Sequence, residues 1–217
     1  MSGADSLRIA EIFHSIQGES SLVGWPTVFI RLTGCPLRCT YCDTMYSFHG
    51  GERQTITDIV AQTKRFETRH VCVTGGEPLA QPSVHELLKQ LCDLGWVVSL
   101  ETSGALAINR VDPRVQRIVD FKTPASGEVS RNLWSIVPDL SPRDEVKFVI
   151  CDRQDYEWSA FKVREHQLET RVNCVLFSPA HGAVEPRDLA QWILEDRLPV
   201  RMQMQLHKLI WGEERGR

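Results

Sequence analysis

Long apolar runs are what this sequence most conspicuously lacks. Nothing in it approaches the ~20 consecutive apolar residues that a membrane helix needs. The opening residues, MSGADSLR, carry no hydrophobic signal core, so a cytosolic location is expected. A surplus of positive charge is also missing: 25 Lys and Arg face 28 Asp and Glu, a formal net charge of −3. The longest basic cluster, around Lys64 and Arg65, is short, which argues against a nucleic-acid binder. Low-complexity segments, long linkers and internal repeats are absent. The cysteines, finally, do not suit a disulfide framework, because there are seven of them at irregular spacing and a reducing cytosol disfavours such bridges. Metal or redox chemistry is the better use for them.

The 217 residues are 42% hydrophobic and 24% charged, an ordinary composition for one well-packed core. A single domain, 1–217, is expected, with the charged end after Trp211, GEERGR, frayed. Short β-branched runs alternate with helical patterns: TVFIRLTG, then Thr57 to Phe66; VCVTGG, then SVHELLKQLCDLG; WVVSLETSG; RIVDFK; EVKFVI, then WSAFKVREHQLE; NCVLFSP, then RDLAQWILED; and RMQMQLHK. This is the rhythm of an α/β protein with a parallel sheet and crossover helices. In the helix from Ser83, Val84, Leu87, Leu88 and Leu91 make one apolar face that docks on the sheet. The strand count fits a partial, TIM-like β/α barrel better than a full eightfold one, for which ~250 residues is typical. The least regular stretch, Ala125 to Pro142, is expected to be a mobile lid. Polar motifs recur just after the strands: TGC, TGGEP, ETSG, KTPASGE, SPAHG and, after RMQMQL, His207 and Lys208. In barrels and open α/β sheets, active sites are assembled at that edge.

One of these motifs holds three cysteines in ten residues, CPLRCTYCDT, namely Cys35, Cys39 and Cys42. A structural zinc site or a ferredoxin-type cluster normally takes four protein ligands, so one coordination position is left to something else. A cubane with one open iron would leave that position for a substrate or cofactor. A zinc site completed by His49 is the alternative, although C-x3-C-x2-C is not a usual finger spacing. Cys72, Cys92, Cys151 and Cys174 fall in apolar or helical contexts and read as core.

Most of the other motifs are ambiguous taken singly. TGGEP, Thr74 to Pro78, is a plain turn or a place where glycine lets backbone approach a ligand. ETSG, Glu101 to Gly104, and DFK, Asp120 to Lys122, are solvated strand ends or a polar binding edge. SIQGES is a polar turn or a recognition segment. Arg31, inside the apolar strand VFIRL, needs an anionic partner, whether a structural ion pair or a bound carboxylate.

The cysteine loop, with Tyr41 before its last cysteine and GGEP downstream, resembles the radical S-adenosylmethionine superfamily. The segments EIFHSIQGES, VFIRLTGC, CDTMYSF, VTGGEPLAQ, ETSG and QLHK narrow the resemblance to its 7-carboxy-7-deazaguanine synthase family, over Glu11 to Trp211. The resemblance implies that Cys35, Cys39 and Cys42 hold a 4Fe-4S cluster whose fourth iron is chelated by S-adenosylmethionine, the missing ligand being the cofactor itself. Reductive cleavage of that cofactor would give a 5'-deoxyadenosyl radical, which would take a hydrogen from C6 of 6-carboxy-5,6,7,8-tetrahydropterin on the way to 7-carboxy-7-deazaguanine and ammonia.

By the same resemblance Tyr41, Asp43, Gly76, Glu77, Glu101, Ser103, Asp120, Lys122 and the stretch Ser178, Pro179, Ala180 and His181 surround the cofactor. Ile16, Gln17, Gly18, Glu19, Arg31, Thr74 and His207 meet the pterin, and Thr44 ligates Mg2+ that bridges to the substrate carboxylate. The family usually carries glycine where this chain has Ser20. A homodimer and a flavodoxin- or ferredoxin-like electron donor are also implied. Two other readings stand beside this one: a glycyl-radical-enzyme activase, which needs an open groove rather than a pterin pocket, and a non-enzymatic zinc-stabilised module.

Overall fold

The computed structural model describes residues 6–212 and 214–216. A long strand, β1 (Ser6–Ile16), turns back as β2 (Pro26–Leu32), and after the cysteine loop come β3 (Glu52–Thr55), α1 (Ile56–Lys64), β4 (His70–Gly75), α2 (Val84–Asp93), β5 (Val97–Thr102) and β6 (Gln116–Asp120). The second half runs β7 (Glu145–Ile150), α3 (Arg153–His166), α4 (Leu168–Arg171), β8 (Cys174–Pro179), α5 (Pro186–Glu195), β9 (Arg201–Met202) and α6 (Leu206–Trp211). All nine strands join one sheet in the order β3-β1-β2-β4-β5-β6-β7-β8-β9. β1 is antiparallel to both its neighbours, and every pairing from β2 to β9 is parallel. The order has two free ends, so the barrel is partial, as the strand count predicts. Among the described residues no helix is long and apolar enough to cross a membrane.

The parallel strands are apolar because helices cover their outer face. Val84, Leu87, Leu88 and Leu91 of α2 are fully buried against them, the face that the 3, 4 and 7 spacing predicts. Because β2 and β4 to β9 point the same way, their C-terminal ends fall on one edge. Two strands gave no readable pattern. β1 buries Leu7 and Ile9 and then shifts register between Ile9 and Glu11, which breaks the alternation. β3, with the sequence ERQT, is a polar edge strand held by its ladder to β1.

Several expectations are corrected. RMQMQLHK is not one strand: β9 stops at Met202, and His207 and Lys208 lie on α6. The ladder reaches the Gln203 amide, which donates to Phe177 O at 3.0 Å, but the Gln203 carbonyl would then need the amide of residue 179, and Pro179 has none. Leu206 N donates instead to Gly18 O at 3.0 Å, starting α6 beside the β1–β2 connection.

Ala125 to Pro142 is built of tight 3-10 turns rather than a loose lid, with Trp134 stacked on Phe121 at 4.4 Å. Asp155, fully buried on α3, anchors its start by accepting from Ala125 N at 2.9 Å, Thr123 Oγ1 at 3.0 Å and Cys151 N at 3.1 Å. Of the four cysteines read as core, only Cys72 is buried; Cys92, Cys151 and Cys174 sit at or near the ends of their elements and are half-buried. At the C-terminal end Trp211 closes α6 and the Arg215 guanidinium lies over the Tyr46 ring at 4.4 Å; residues 213 and 217 of the tail expected to fray lie outside the described residues.

Replacing Asp155 by alanine removes the acceptor of donors from two segments, Thr123 and Ala125 on one side and Cys151 on the other, so it should destabilise the protein by about 3 kcal/mol in urea unfolding and speed amide exchange at Ala125 and its neighbours. Unchanged exchange there would remove Asp155 as the anchor of the segment.

Candidate active site

The C-terminal edge of the sheet borders a cavity of about 430 Å3, within the range of small-molecule sites. β1 and the turn after it supply Ile16, Gln17, Gly18 and Glu19; β2 supplies Arg31; and the cysteine loop supplies Cys35, Cys39, Tyr41, Cys42, Asp43 and Thr44. Thr74 and Gly76 come from the end of β4, Glu101 and Ser103 from β5, Asp120 and Lys122 from β6, Ala180 and His181 from beyond β8, and His207 from α6. Three of the residues expected here do not line it. Ser178 and Pro179 are buried within β8, and Glu77 is fully buried behind the edge.

Glu77 has a different task. Its carboxylate accepts from Leu79 N at 2.9 Å, Ser103 N at 2.7 Å and the hydroxyls of Thr102 and Ser103, so it braces the end of β4 against the end of β5. The backbone beside it is what approaches the cavity. A Cβ on Gly76 would sit 2.2 Å from Gly34 O and 2.9 Å from Cys35 Cβ, so only glycine permits this contact between TGGEP and the cysteine loop.

The residues between the cysteines fix the loop. Thr40 N donates to Ser126 O at 3.1 Å, Thr40 Oγ1 to Ala125 O at 2.8 Å, and Arg38 N to Glu128 Oε1 at 2.6 Å. The three cysteines are left half-buried along the cavity wall. Burial pushes the Cys35 thiol up and Cys39 up to about 11, so a strong local positive charge is required to hold them as thiolates. Among the described residues no three Cys, His, Asp or Glu side chains converge on a point where a single ion could sit, and His49 is exposed and outside the cavity. The zinc alternative therefore lacks its geometry. A cubane, which offers each thiolate a different iron, suits ligands spread along a wall.

Charged groups on the inner face come in pairs. Asp120 and Lys147 are register partners on β6 and β7, with Lys147 Nζ 3.3 Å from Asp120 Oδ2. Lys147 also donates to Glu19 Oε2 at 2.6 Å, and Lys122 Nζ lies 3.0 Å from Asp120 Oδ1. Burial alone would raise the Glu19 carboxyl, yet the Lys147 ammonium and the Gln205 amide hold it down at about 2. Arg31 donates through Nε to Glu11 Oε1 at 2.8 Å, and Tyr46 OH reaches the same oxygen at 2.7 Å. The structural ion pair weighed for Arg31 thus exists, while both its Nη groups have no hydrogen-bond partner among the described residues. Lys208 pairs with Asp43 at 3.0 Å, and Thr74 Oγ1 donates to Glu101 Oε2 at 2.8 Å.

At the opposite end, the Gln17 backbone is fixed by Trp25 O and Gly24 N, and its Oε1 accepts from Glu19 N at 3.1 Å. Its Nε2 is buried without a partner, on a residue 2% exposed. Gly18 lies against His207, where a Cβ would come within 2.1 Å of Nδ1. Ser20 takes φ of 67°, a conformation that favours glycine, and its Oγ accepts from Leu22 N at 3.1 Å, a local bond that glycine cannot make. Ser21 N then donates to Glu145 at 3.0 Å.

Sequence reasoning missed Lys147, Gln205, Glu145 and Glu11. Lys147 interrupts the apolar run EVKFVI just as Arg31 interrupts VFIRL, so the criterion that singled out Arg31 finds it too. Gln205 carried no such signal, because its place depends on where β9 ends.

A family model for the radical SAM superfamily matches residues 29–120. The chain is 46% identical over 217 residues to 7-carboxy-7-deazaguanine synthase of Chlorobaculum tepidum, covering 99% of this chain and 98% of the relative. It is 42% identical over 222 residues to the synthase of the same name from Koribacter versatilis, covering 96% and 98%. The crystal structure of QueE from Escherichia coli shares the fold, with a TM-score of 0.76 at 24% identity over 93% of this chain and 95% of that one.

Alanine at Cys35, Cys39 or Cys42 should abolish iron binding after anaerobic reconstitution, whereas Cys72→Ala, at a buried position on β4, should keep its iron and lose only stability, as core truncations do. Full iron loading in Cys39→Ala would remove that residue from the ligand set.

Proposed function

The chain belongs to the 7-carboxy-7-deazaguanine synthase family of radical S-adenosylmethionine enzymes, and from that premise we propose that it converts 6-carboxy-5,6,7,8-tetrahydropterin to 7-carboxy-7-deazaguanine with release of ammonia. One observation carries the substrate assignment: the partnerless Gln17 amide stands beside the Glu19 carboxylate in the same cavity as the three cysteines. A donor next to an acceptor is the complement of a guanine-like edge. The cavity volume of about 430 Å3 is in the range of small-molecule sites.

The cluster and S-adenosylmethionine supply the 5'-deoxyadenosyl radical when bound. Cys35, Cys39 and Cys42 hold the cluster, and the Gly76 backbone, Tyr41, Asp43, Glu101, Ser103, Asp120, Lys122, Ala180 and His181 surround the nucleoside and its methionine end. Glu77 acts behind them as a brace, and Ser178 and Pro179 as strand support. Gln17 and Glu19 take the pyrimidine edge of the substrate, with Ile16, Gly18, Thr74 and His207 shaping the wall around the ring. Thr44 offers a hydroxyl to Mg2+, which suits an oxygen ligand and a substrate carboxylate. The Nη groups of Arg31, left over from its Nε bond to Glu11, suit that carboxylate as well. No side chain need act as a strong base; the protein contributes positioning and exclusion of water. The reading extends, on the family resemblance, to a cytoplasmic homodimer reduced by a flavodoxin- or ferredoxin-like donor.

Anaerobic incubation of reconstituted protein with reductant, S-adenosylmethionine, Mg2+ and the carboxypterin should yield the deazaguanine product. Competent cofactor cleavage with no product would overturn the substrate assignment, and an unaltered Mg2+ response in Thr44→Ala would remove Thr44 from the metal.

Arg31→Met should weaken substrate binding by roughly 10- to 100-fold, the worth of a charge-assisted hydrogen bond, and Arg31→Lys by less. Iron content should stay normal in both. Parental affinity in both variants would leave Arg31 as the partner of Glu11 and nothing more.

A further inference from the structure

Lys147 is a lysine inside the sheet whose side chain is only 12% exposed, and every polar contact it makes in the structure is to an acid. It lies between the Asp120 carboxylate, its register partner, and the Glu19 carboxylate, and both it and Glu19 line the cavity. Glu19 meets two obligate donors, Lys147 Nζ on Oε2 at 2.6 Å and Gln205 Nε2 on Oε1 at 2.7 Å. A carboxylate offers about four lone-pair sites, so each oxygen keeps one. Those two sites match a flat edge carrying two adjacent N–H groups, the bidentate pattern of a carboxylate facing an amidine-like ring.

We propose that Lys147 is a specificity-determining residue, which by its contact with Glu19 keeps that side chain a pure hydrogen-bond acceptor and so selects a 2-amino-4-oxopyrimidine ring over its 2-oxo counterpart. The inference rests on the pterin reading given above. A ring with oxygen at position 2 sets a carbonyl against the carboxylate, whereas the amino ring presents its 2-amino and ring N–H groups. Without Lys147, Glu19 would be a buried acid whose neutral form is favoured by burial, and a neutral carboxyl can donate to the very carbonyl it should reject. The other titratable or charged groups facing this pair are His207 on α6, which faces Glu19, and Asp120 and Lys122 at the end of β6 and Glu101 on β5, which face Lys147. Lys147 acts through Glu19 and is a positioning residue.

The test is fluorescence titration of reconstituted holoenzyme, with S-adenosylmethionine bound, using 6-carboxypterin and 6-carboxylumazine between about pH 6 and 8.5. The parent should prefer the pterin by roughly 100-fold across that range. Lys147→Met should bind the pterin about 10- to 100-fold more weakly at the acidic end, with the preference reduced to a few-fold, and should recover both as rising pH ionises Glu19. The difference between the parent and variant profiles reports the effect of removing the ammonium beside Glu19. Lys147→Arg should behave as the parent does. Glu19→Gln should show low preference at every pH, and adding Lys147→Met to it should change little.

A parental preference in Lys147→Met, or an equal and pH-independent loss for both ligands, overturns the proposal and leaves Lys147 a structural cation. Should the methionine variant fail to fold, Lys147→Gln, which keeps a donor without the charge, decides the matter: lost preference supports the proposal and retained preference overturns it. A parent that binds neither ring overturns the pterin reading, and this inference with it.

Discussion

A charge removed from water must meet its opposite, and the inner face of this sheet is organised by that requirement. Four cations line the cavity, and each has an acid within reach: Arg31 has Glu11, Lys122 has Asp120, Lys147 has Glu19 and Asp120, and Lys208 has Asp43. Two of these sets join elements that are distant in sequence. Lys147 ties β7 to the turn after β1, and Lys208 ties α6 to the cysteine loop. The ion pairs that make the cavity polar also hold together the peptides that surround it. A ligand entering there meets charges already directed by their partners, and that preorganisation allows polar recognition in a partly dry site.

The parts of the fold legible in the sequence were those whose pattern has a local cause. VCVTGG, RIVDFK and EVKFVI are apolar because both of their faces are covered, and the α2 face follows from helical spacing. Hidden parts depended on tertiary context. β3 is polar throughout and is a strand only because β1 pairs with it, and β9 ends where it does because Pro179 on the neighbouring strand has no amide to give. Likewise Ala125 to Pro142 looked loose because turns of this kind have no period, and what holds its start is a carboxylate on α3 thirty residues away from Ala125.

The site followed the same division. Cys35, Cys39 and Cys42, Gly18 and Gly76, and the lone Arg31 in its strand announce themselves by residue type, and all of these lie at the cavity. Glu77 was legible as part of a motif but not in its task, since nothing in GGEP tells whether a carboxylate faces the cofactor or turns back to grip the next strand. Its five hydrogen bonds to Leu79, Thr102 and Ser103 answer that question only once β4 and β5 are side by side. Ser20 shows the converse. Its backbone takes a left-handed turn that a Cβ disfavours, and its hydroxyl holds that turn by accepting from Leu22 N.

The bonds that hold the cysteine loop at Thr40 and Arg38 run to Ala125, Ser126 and Glu128, and none of them uses a thiol. The shape of the loop is therefore set by the polypeptide, in contrast to a zinc finger, whose fold appears only with its metal. A change at Ser126 or Glu128, far along the chain from any of the three cysteines, therefore reaches the ligands through the loop that carries them.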